Sequence, residues 1–199
     1  MEKQEIVLAS SNPGKVKEVN ELLADTVFHI LPQSEFDVVE AEETGLTFVE
    51  NAILKARNAA RYTNLPVIAD DSGIEVIALK GQPGIYSARY AGLDASDEDN
   101  LNKLIEAIKT LDEVDRNARF VCSMVFLRHA EDPTPLISQG IWDGVVITEP
   151  RGLNGFGYDP MFYVPTHDCT SAELLPEIKN QLSHRGQALT CLIKQICKM

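Results

Sequence analysis

The chain has 199 residues, of which 44% are hydrophobic and 24% are charged, and this composition excludes a disordered or fibrous protein. Its 18 basic and 30 acidic side chains give a formal net charge of −12, without any run of lysine and arginine longer than two. Such a charge repels the phosphate backbone of DNA and RNA, so we expect no nucleic-acid partner.

Neither the hydropathy nor the N-terminal sequence indicates a membrane or secreted protein. No unbroken apolar run exceeds four residues, so we expect no transmembrane helix and no membrane partner. The first five residues have neither the basic start nor the apolar core of a signal peptide, which favours the cytoplasm. Four cysteines without C-x-x-C spacing are predicted to be small core residues in a reducing compartment: Cys122, Cys169, Cys191 and Cys197.

The first half of the chain alternates strand-like and helix-like segments. Asn12-Pro13 is typical of a helix N-cap followed by proline at the first helical position, and apolar residues then recur at helical spacing. We predict a second helix over residues 46–62 and strands over residues 5–9, 27–31, 66–69 and 74–79. Asp70-Asp71-Ser72-Gly73 would then form a turn between the last two strands.

The second half of the chain mixes helices with longer strands. Ser96 is predicted to begin a helix, with Asp99 completing a capping-box-like pattern. Residues 119–128 and 136–148 are predicted strands joined by a turn at 131–135, and residues 183–198 a final helix. This order predicts a mixed α/β fold, and no low-complexity linker divides the chain.

A polar turn at residues 10–15 is the first candidate binding site. The backbone N–H groups at a helix start, the positive end of the helix dipole and Lys15 together suit a phosphate group. The turn lacks the glycine spacing and the Ser/Thr of a Walker loop. The alternative is a capped helix with a solvated lysine.

Two acidic pairs, Glu42-Glu43 and Asp70-Asp71, are candidate metal ligands. Adjacent carboxylates repel each other, and a Mg²⁺ ion that also holds a phosphate would relieve that repulsion. The alternative is a solvated turn. Lys55, near Arg57 and Arg61, fits a phosphate clamp and a solvated helix face equally well.

Two further segments fit recognition of a nucleotide base. In residues 155–160, aromatic residues stand between glycines and could stack on a flat ring, or simply fill a core. His184 and Arg185 lie at a predicted helix start, where cations are unfavourable, so they need an anion or a planar acceptor. A surface salt bridge is the alternative for this pair. Together the candidates indicate a site for a nucleoside triphosphate.

In seven segments, the sequence resembles the inosine/xanthosine triphosphate pyrophosphatases. The resemblance runs from about residue 5 to 195, with Ser10-Ser11 and Pro13 at positions where the family commonly has Thr-Gly and a variable residue. The segments are Ser11-Asn12-Pro13-Gly14-Lys15, Glu42-Glu43-Thr44-Gly45, Glu50-Asn51-Ala52, Ala69-Asp70-Asp71-Ser72-Gly73, Pro83-Gly84-Ile85-Tyr86-Ser87-Ala88-Arg89, Gly155-Phe156-Gly157-Tyr158-Asp159-Pro160 and Ser183-His184-Arg185-Gly186.

The resemblance implies a homodimeric, Mg²⁺-dependent enzyme that hydrolyses ITP, dITP and XTP to the monophosphate and pyrophosphate. It also implies one elongated domain over residues 1–199, an α/β fold with two lobes around a central mixed sheet and the nucleotide in the cleft. Two other functions stay open. One is a pyrophosphatase for pyrimidine or modified-base triphosphates, and the other is a nucleotide-binding module without turnover.

The family's site residues can be carried onto this chain. Glu42 and Asp71 would bind Mg²⁺, Asp71 would also accept the proton, and Ser72 would contact the substrate; the sequence leaves open whether Glu43 and Asp70 exchange roles with these neighbours. The triphosphate oxygens would be bound by Ser10, Ser11, Asn12, Pro13, Gly14, Lys15 and Lys55. The base and sugar would be surrounded by Phe156, Gly157, Tyr158, Asp159, Lys179, His184 and Arg185.

Overall fold

The structure is a computed structural model that describes residues 4–24 and 26–199. In these residues the helices are α1 (Pro13–Leu23), α2 (Phe48–Thr63), α3 (Asp97–Ile108), α4 (Pro176–Leu182) and α5 (His184–Ile196). The strands are β1 (Gln4–Leu8), β2 (Phe28–Pro32), β3 (Val67–Val76), β4 (Asn117–Leu127), β5 (Leu136–Val146), β6 (Phe162–Val164) and β7 (Cys169–Thr170). The expectation of a cytoplasmic protein is based partly on residues 1–3, and these lie outside the described residues.

The strands belong to one mixed sheet in the order β2-β1-β3-β4-β5-β6-β7. Strand β1 runs parallel to β2 and β3, whereas β5 with β6 and β6 with β7 are antiparallel pairs. This combination of a mixed sheet with helices confirms the predicted α/β class. Within the described ranges, no helix has both the length and the apolarity needed to cross a bilayer.

The chain forms two compact units. The first comprises the residues up to Asp71, Cys122–Gly140 and Arg185–Met199, and the second comprises Ser72–Val121 and Ile141–His184. In the second unit, Phe120 packs against the rings of Trp142 and Phe162 at centroid distances of 6.4 and 4.6 Å, in a core that helix α3 covers.

In the first unit, the alternation of side chains along β1 and β3 creates two buried sides. Ile6, Leu8 and Ile68 pack with residues of α1 and α5, and we call this the α1/α5 side. The opposite side, the α2 side, joins Val7, Ala9, Val67 and Ala69 to four small residues of the helix: Ala52, Ala56, Ala59 and Ala60. Consecutive residues of β3 therefore face different helices.

Local capping explains the helix starts that the sequence predicts. The Asn12 side chain accepts a hydrogen bond from the backbone N–H of Lys15 at 3.1 Å, and Pro13 occupies the first helical turn of α1. Ser96 and Asp99 form the reciprocal capping box of α3. These two predictions are confirmed, whereas the short elements α4, β6 and β7 were not predicted.

The predicted turn at Asp70-Asp71-Ser72-Gly73 is wrong. Strand β3 continues through all four residues, and the strand predicted over residues 74–79 instead ends at Val76, before a short 3-10 turn. Turn chemistry assumes that water solvates the carboxylates, but here Asp70 and Asp71 are only 1% and 6% exposed. Basic side chains from neighbouring helices take the place of water, as described below.

The prediction that all four cysteines are core residues is also wrong in part. Cys122 is buried in β4 and Cys169 is half-buried, but Cys191 on α5 and Cys197 just after that helix are exposed. All four are free thiols. The spacing between cysteines in the sequence does not reveal whether a cysteine on α5 faces the core or the solvent.

Candidate active site

Asp70 projects from β3 toward the α1/α5 side of the first unit, where two cations meet it. The ammonium group of Lys15, in the first turn of α1, lies 2.9 Å from Oδ2 of Asp70. Arg185, in the first turn of α5, donates to the same oxygen at 3.4 Å. The Lys15 side chain is only 15% exposed, so the alternative of a solvated lysine is wrong.

Arg185 is shared between two carboxylates. Its guanidinium also donates to Glu18, which lies on α1 one turn after Lys15. On this side, two cations therefore face two carboxylates, and each charge is buried with a partner. The prediction that Arg185 needs a compensating anion is confirmed, because Asp70 and Glu18 provide it.

These contacts determine the charge of Asp70. Burial alone would raise the pKa of this carboxyl, but the positive charges of Lys15, Arg185 and Lys55 hold its pKa well below the ordinary value. Asp70 is therefore ionised at neutral pH. The buried thiol of Cys122 also points at Asp70, with its sulfur 3.9 Å from Oδ2, and burial raises the pKa of that thiol to about 12.

Asp71 projects toward the α2 side, where its carboxylate has different partners. The ammonium group of Lys55 lies 2.9 Å from Oδ1 of Asp71 and 2.8 Å from Oε1 of Glu43. The side-chain amide of Asn51 donates to Oδ2 of Asp71 at 3.2 Å. Lys55 is only 16% exposed, so a solvated helix face does not describe it.

The pKa values on the α2 side follow from burial and from the neighbouring charges. Burial raises the pKa of Asp71, and the charge of Lys55 compensates only in part. Burial also disfavours the charged form of Lys55, but Asp71, Asp70 and Glu43 raise its pKa to about 12. Lys55 therefore stays protonated, and Asp71 is the carboxylate whose negative charge is less well compensated.

The α2 side has the donor chemistry that a magnesium ion requires. Two carboxylates, Asp71 and Glu43, converge on one position that a cation already occupies, the ammonium group of Lys55. Among residues 4–24 and 26–199, no three acidic, histidine or cysteine side chains gather into a metal cluster. Asp71 and Glu43 would supply carboxylate oxygens, and the other positions would fall to water and phosphate oxygens, as Mg²⁺ prefers.

The acidic residue that reaches this position is Glu43. Glu42 was the residue carried over from the family, but its side chain is exposed, whereas Glu43 contacts the same ammonium group as Asp71. The alternative in which Glu43 takes the role of Glu42 is the one that these contacts favour. A role of Glu42 in metal binding stays a prediction.

Hydrogen bonds to two serine hydroxyls stabilise the turn before α1. The Ser10 hydroxyl accepts from the backbone N–H of Asn12 at 3.3 Å, and Gln33 donates to the Ser11 hydroxyl at 2.9 Å. Pro13 and Gly14 form the first helical residues, and Lys15 turns toward Asp70. Ser72, the residue after Asp71, is half-buried in β3.

A second buried ion pair organises the predicted base-binding loop of the second unit. Lys179 of α4 donates to Oδ2 of Asp159 at 2.7 Å, and the hydroxyl of Ser171 donates to Oδ1 at 2.7 Å. The same Oδ2 accepts the backbone N–H of Phe156 at 2.9 Å. The ammonium group of Lys179 also lies 5.3 Å from the centroid of the Phe156 ring.

Gly155 allows the backbone of this loop to approach the Asp159 carboxylate closely. Its φ is +77°, and a Cβ atom there would lie 2.0 Å from Oδ2 of Asp159, so a larger residue would disrupt the carboxylate. Asp159 is therefore a positioning group for Lys179 and Phe156. The half-buried Phe156 ring and the Lys179 ammonium group lie side by side in one unit, and their contact with a base stays a prediction.

Three other predicted base-site residues have protein partners. The hydroxyl of Tyr158 donates to the carbonyl oxygen of Ser87 at 2.7 Å, and its ring belongs to the core. Gly157 donates its backbone N–H to Asp97. The His184 ring is buried and stacks on Phe120 at 4.7 Å. Their contacts with a substrate stay predictions.

Sequence reasoning did not assign a role to Glu18, Asn51 or Ser171. The sequence does contain a pattern that could have indicated Glu18 and Asn51. Glu18 follows Lys15 by three residues and Asn51 precedes Lys55 by four, and these spacings place each pair on one helix face. Ser171 lies in a short segment whose fold was not predicted, so no pattern indicated it.

The chain is similar over most of its length to known proteins of one family. The model of the Ham1 family matches residues 6–195. A Vibrio cholerae protein named dITP/XTP pyrophosphatase is 59% identical over 193 residues, which cover 97% of this chain and 96% of that protein. A Yersinia pseudotuberculosis protein of the same name is 59% identical over 190 residues, with 96% of each chain covered.

The fold is also similar to that of a solved structure. The HAM1 protein of Coxiella burnetii superposes with a TM-score of 0.90 at 52% identity, covering 98% of this chain and all of that one.

Proposed function

The chain belongs to the Ham1 family, and we propose that it is a pyrophosphohydrolase that converts dITP, XTP and ITP to the monophosphate and pyrophosphate. The observation that carries the proposal is the α2 side of the first unit. There Asp71 and Glu43 share the ammonium group of Lys55. On the opposite side of the strand, Lys15 pairs with Asp70, the residue before Asp71. This collection of charges suits a polyphosphate with its metal ion.

In the proposed reaction, Asp71 orients a water molecule and accepts its proton. The water oxygen attacks the α-phosphorus, and the bond from that phosphorus to the oxygen bridging to the β-phosphorus breaks, which releases pyrophosphate. Burial supports this role because it raises the pKa of Asp71 and makes the carboxylate a stronger base.

Lys55 and Lys15 would supply fixed positive charge. Both ammonium groups are mostly buried and ion-paired, so they are held in place before a substrate arrives. Positive charge placed where negative charge develops lowers the barrier of phosphoryl transfer without further reorganisation. The turn at residues 10–14 would bind phosphate oxygens beside Lys15.

A magnesium ion is part of the proposal. Asp71, together with Glu43 or Glu42, would hold it. When bound, Mg²⁺ neutralises charge on the phosphate oxygens and on the pyrophosphate leaving group. The two converging carboxylates support this assignment.

We assign the base to Phe156, Lys179 and the neighbouring residues Gly157 to Asp159, with His184 and Arg185. Hypoxanthine and xanthine present an acceptor oxygen at position 6, whereas adenine presents a donor there. The ammonium group of Lys179, which donates to Asp159, is a donor of the kind that an oxygen accepts and an amino group does not. A base whose edge has the opposite pattern of donors and acceptors fits such a site less well, so we propose that the site discriminates against ATP.

The assembly and location of the enzyme are further parts of the proposal. The family resemblance favours a homodimer, and we propose that it acts in the cytoplasm on the free nucleotide pool. Gel filtration with light scattering would measure the mass directly, and a monomer would contradict the first of these statements.

The test is pyrophosphate release from ITP, XTP, dITP, GTP, ATP, CTP and UTP at equal concentration, each with Mg²⁺ and with EDTA. We expect turnover mainly of ITP, dITP and XTP, and its loss in EDTA. Orthophosphate in place of pyrophosphate would move the cleaved bond to the γ-phosphate and contradict attack at the α-phosphorus.

The same panel separates the other functions. Preference for CTP, UTP or modified-base nucleotides without regard to the 6-oxo group would indicate a pyrophosphatase of another substrate class. Binding of ITP without release of any product would indicate a nucleotide-binding module.

A further inference from the structure

Asn51 connects the two segments that carry the carboxylates of the α2 side. Its side-chain N–H donates to Oδ2 of Asp71 at 3.2 Å, and its side-chain oxygen accepts the backbone N–H of Gly45 at 2.8 Å. Gly45 closes the loop that bears Glu43. One side chain of α2 thus touches strand β3 and the acidic loop at once.

The chemistry of this connection is specific to an amide. Asn51 is completely buried, so both hydrogen bonds are made without competition from water. One bond needs a donor and the other needs an acceptor, and an amide provides both in one rigid group. An aspartate of the same shape would keep the acceptor, lose the donor and repel Asp71.

The contact between the loop and Asn51 also depends on the absence of a side chain at Gly45. A Cβ atom on Gly45 would lie 2.7 Å from the side-chain oxygen of Asn51 and 2.6 Å from the Cβ of Glu50. The close approach of the loop to α2 therefore requires glycine at position 45. Any larger residue would push the loop away from the Asn51 amide.

We propose that Asn51 is a positioning residue that fixes Asp71 and the Glu43 loop relative to each other. Lys55 donates to the other oxygen of Asp71 and also to Glu43. Asn51 lies one turn before Lys55 on α2, so the two side chains contact the Asp71 carboxylate from two directions. The inference rests on the proposed function, in which Asp71 orients the attacking water.

The experiment compares Asn51→Asp and Gly45→Ala with a matched control, Asn58→Asp. Asn58 lies on the same helix and its amide also ties down a loop, through the carbonyl oxygen of Val39 at 2.6 Å, but Asp71 is not among its partners. For each variant, kcat and KM for dITP, the Mg²⁺ concentration for half-maximal activity and the melting temperature would be measured. Amide hydrogen exchange at residue 45 gives a readout that needs neither metal nor substrate.

We expect Asn51→Asp to lower kcat about 10²-fold, because a small misplacement of a reacting group has effects of that size. Its KM should stay within about threefold, since ground-state binding of the nucleotide is not the function lost. The amide of Gly45 should stay protected, because the new carboxylate still accepts its hydrogen bond. Asn58→Asp should leave kcat unchanged.

Gly45→Ala breaks the same connection from the loop side. We expect faster exchange of the residue 45 amide and an increase of about tenfold in the Mg²⁺ requirement, the usual effect of losing an outer contact to a metal ligand. This variant keeps the proposal testable if Asn51→Asp does not fold.

Either of two results would overturn the proposal. One is an Asn51→Asp enzyme that melts earlier but keeps the wild-type kcat per folded molecule, and the other is an equal loss of kcat in Asn58→Asp. Failure of the proposed function is distinguishable from both, because the wild-type enzyme itself would then release no pyrophosphate. In that case, unchanged exchange of the residue 45 amide in Gly45→Ala would overturn the connection as well.

Discussion

Asp70 and Asp71 are neighbours on one strand, yet their surroundings differ in charge. On the α1/α5 side, Lys15 and Arg185 balance Asp70 and Glu18. On the α2 side, Lys55 forms ion pairs with both Asp71 and Glu43. The pKa of Asp70 is lowered by its cations, whereas burial raises the pKa of Asp71.

In the proposed function, this difference would separate a structural carboxylate, Asp70, from a reactive one, Asp71. A buried charge with matched partners is tolerated in the fold, and removing one of the partners destabilises it. A buried carboxylate that has too little positive charge near it is unfavourable, and binding of a metal ion or a proton removes that cost. The strand presents both kinds because consecutive side chains of a strand point to opposite sides.

The largest predicted effect on stability comes from removing the charge of Asp70. Asp70→Asn leaves the buried cations of Lys15 and Arg185 with less negative charge beside them, so we expect a loss of about 3 kcal/mol in the free energy of unfolding. Urea unfolding followed by circular dichroism measures it. A loss below about 1 kcal/mol would show that these contacts are no stronger than surface ion pairs.

The pH dependence of stability should have opposite signs for the two carboxylates. The folded pKa of Asp70 lies below its unfolded value of about 3.9, so its stabilisation is present above that pH and is lost as the pH falls toward the folded pKa. The folded pKa of Asp71 is raised, so its ionisation costs stability as the pH rises from about 3.9 through the folded value.

Unfolding free energies of the wild type, Asp70→Asn and Asp71→Asn between about pH 3.5 and about pH 7 test this sign. The advantage of the wild type over Asp70→Asn should shrink toward low pH. Asp71→Asn should instead gain stability relative to the wild type as the pH rises. Parallel curves for both variants would contradict the distinction.

A smaller effect is expected at the caps of the two helices that carry the lysines. Asn12 caps α1 and Thr47 caps α2, each through its side-chain oxygen and a backbone N–H of the first turn. Replacing either by alanine should cost about 1 kcal/mol in the free energy of unfolding. Thermal melts check this, and a cost several times larger at one cap would show that it also supports the charged cluster.

The sequence predicts the helix starts and the α/β class, because capping and periodicity are local. Asn12 and Asp99 each bind a backbone group within three residues, and a local pattern is enough to identify them. The course of β3 was not predictable in this way. An Asp-Asp pair inside a strand becomes favourable only when distant cations, such as Arg185, are brought to it by the fold.

The candidate site was predictable in its residue types more than in its contacts. Lys15, Lys55 and Asp71 were expected and lie in the first unit with the partners described above. The choice between Glu42 and Glu43 depends on the direction in which a loop side chain points, which adjacent identical residues do not reveal. Asn51 was quoted in a motif, but its two hydrogen bonds become visible only once β3 and the loop are placed.

The most direct test of the account is to measure pyrophosphate release and the free energy of unfolding together in Asp71→Asn. We predict that kcat for dITP falls at least about 10²-fold, as for loss of a general base, while the stability at neutral pH stays equal to that of the wild type or increases. An Asp71→Asn enzyme that keeps its turnover, or that loses stability as Asp70→Asn does, would contradict the assignment of Asp71 as the reactive carboxylate.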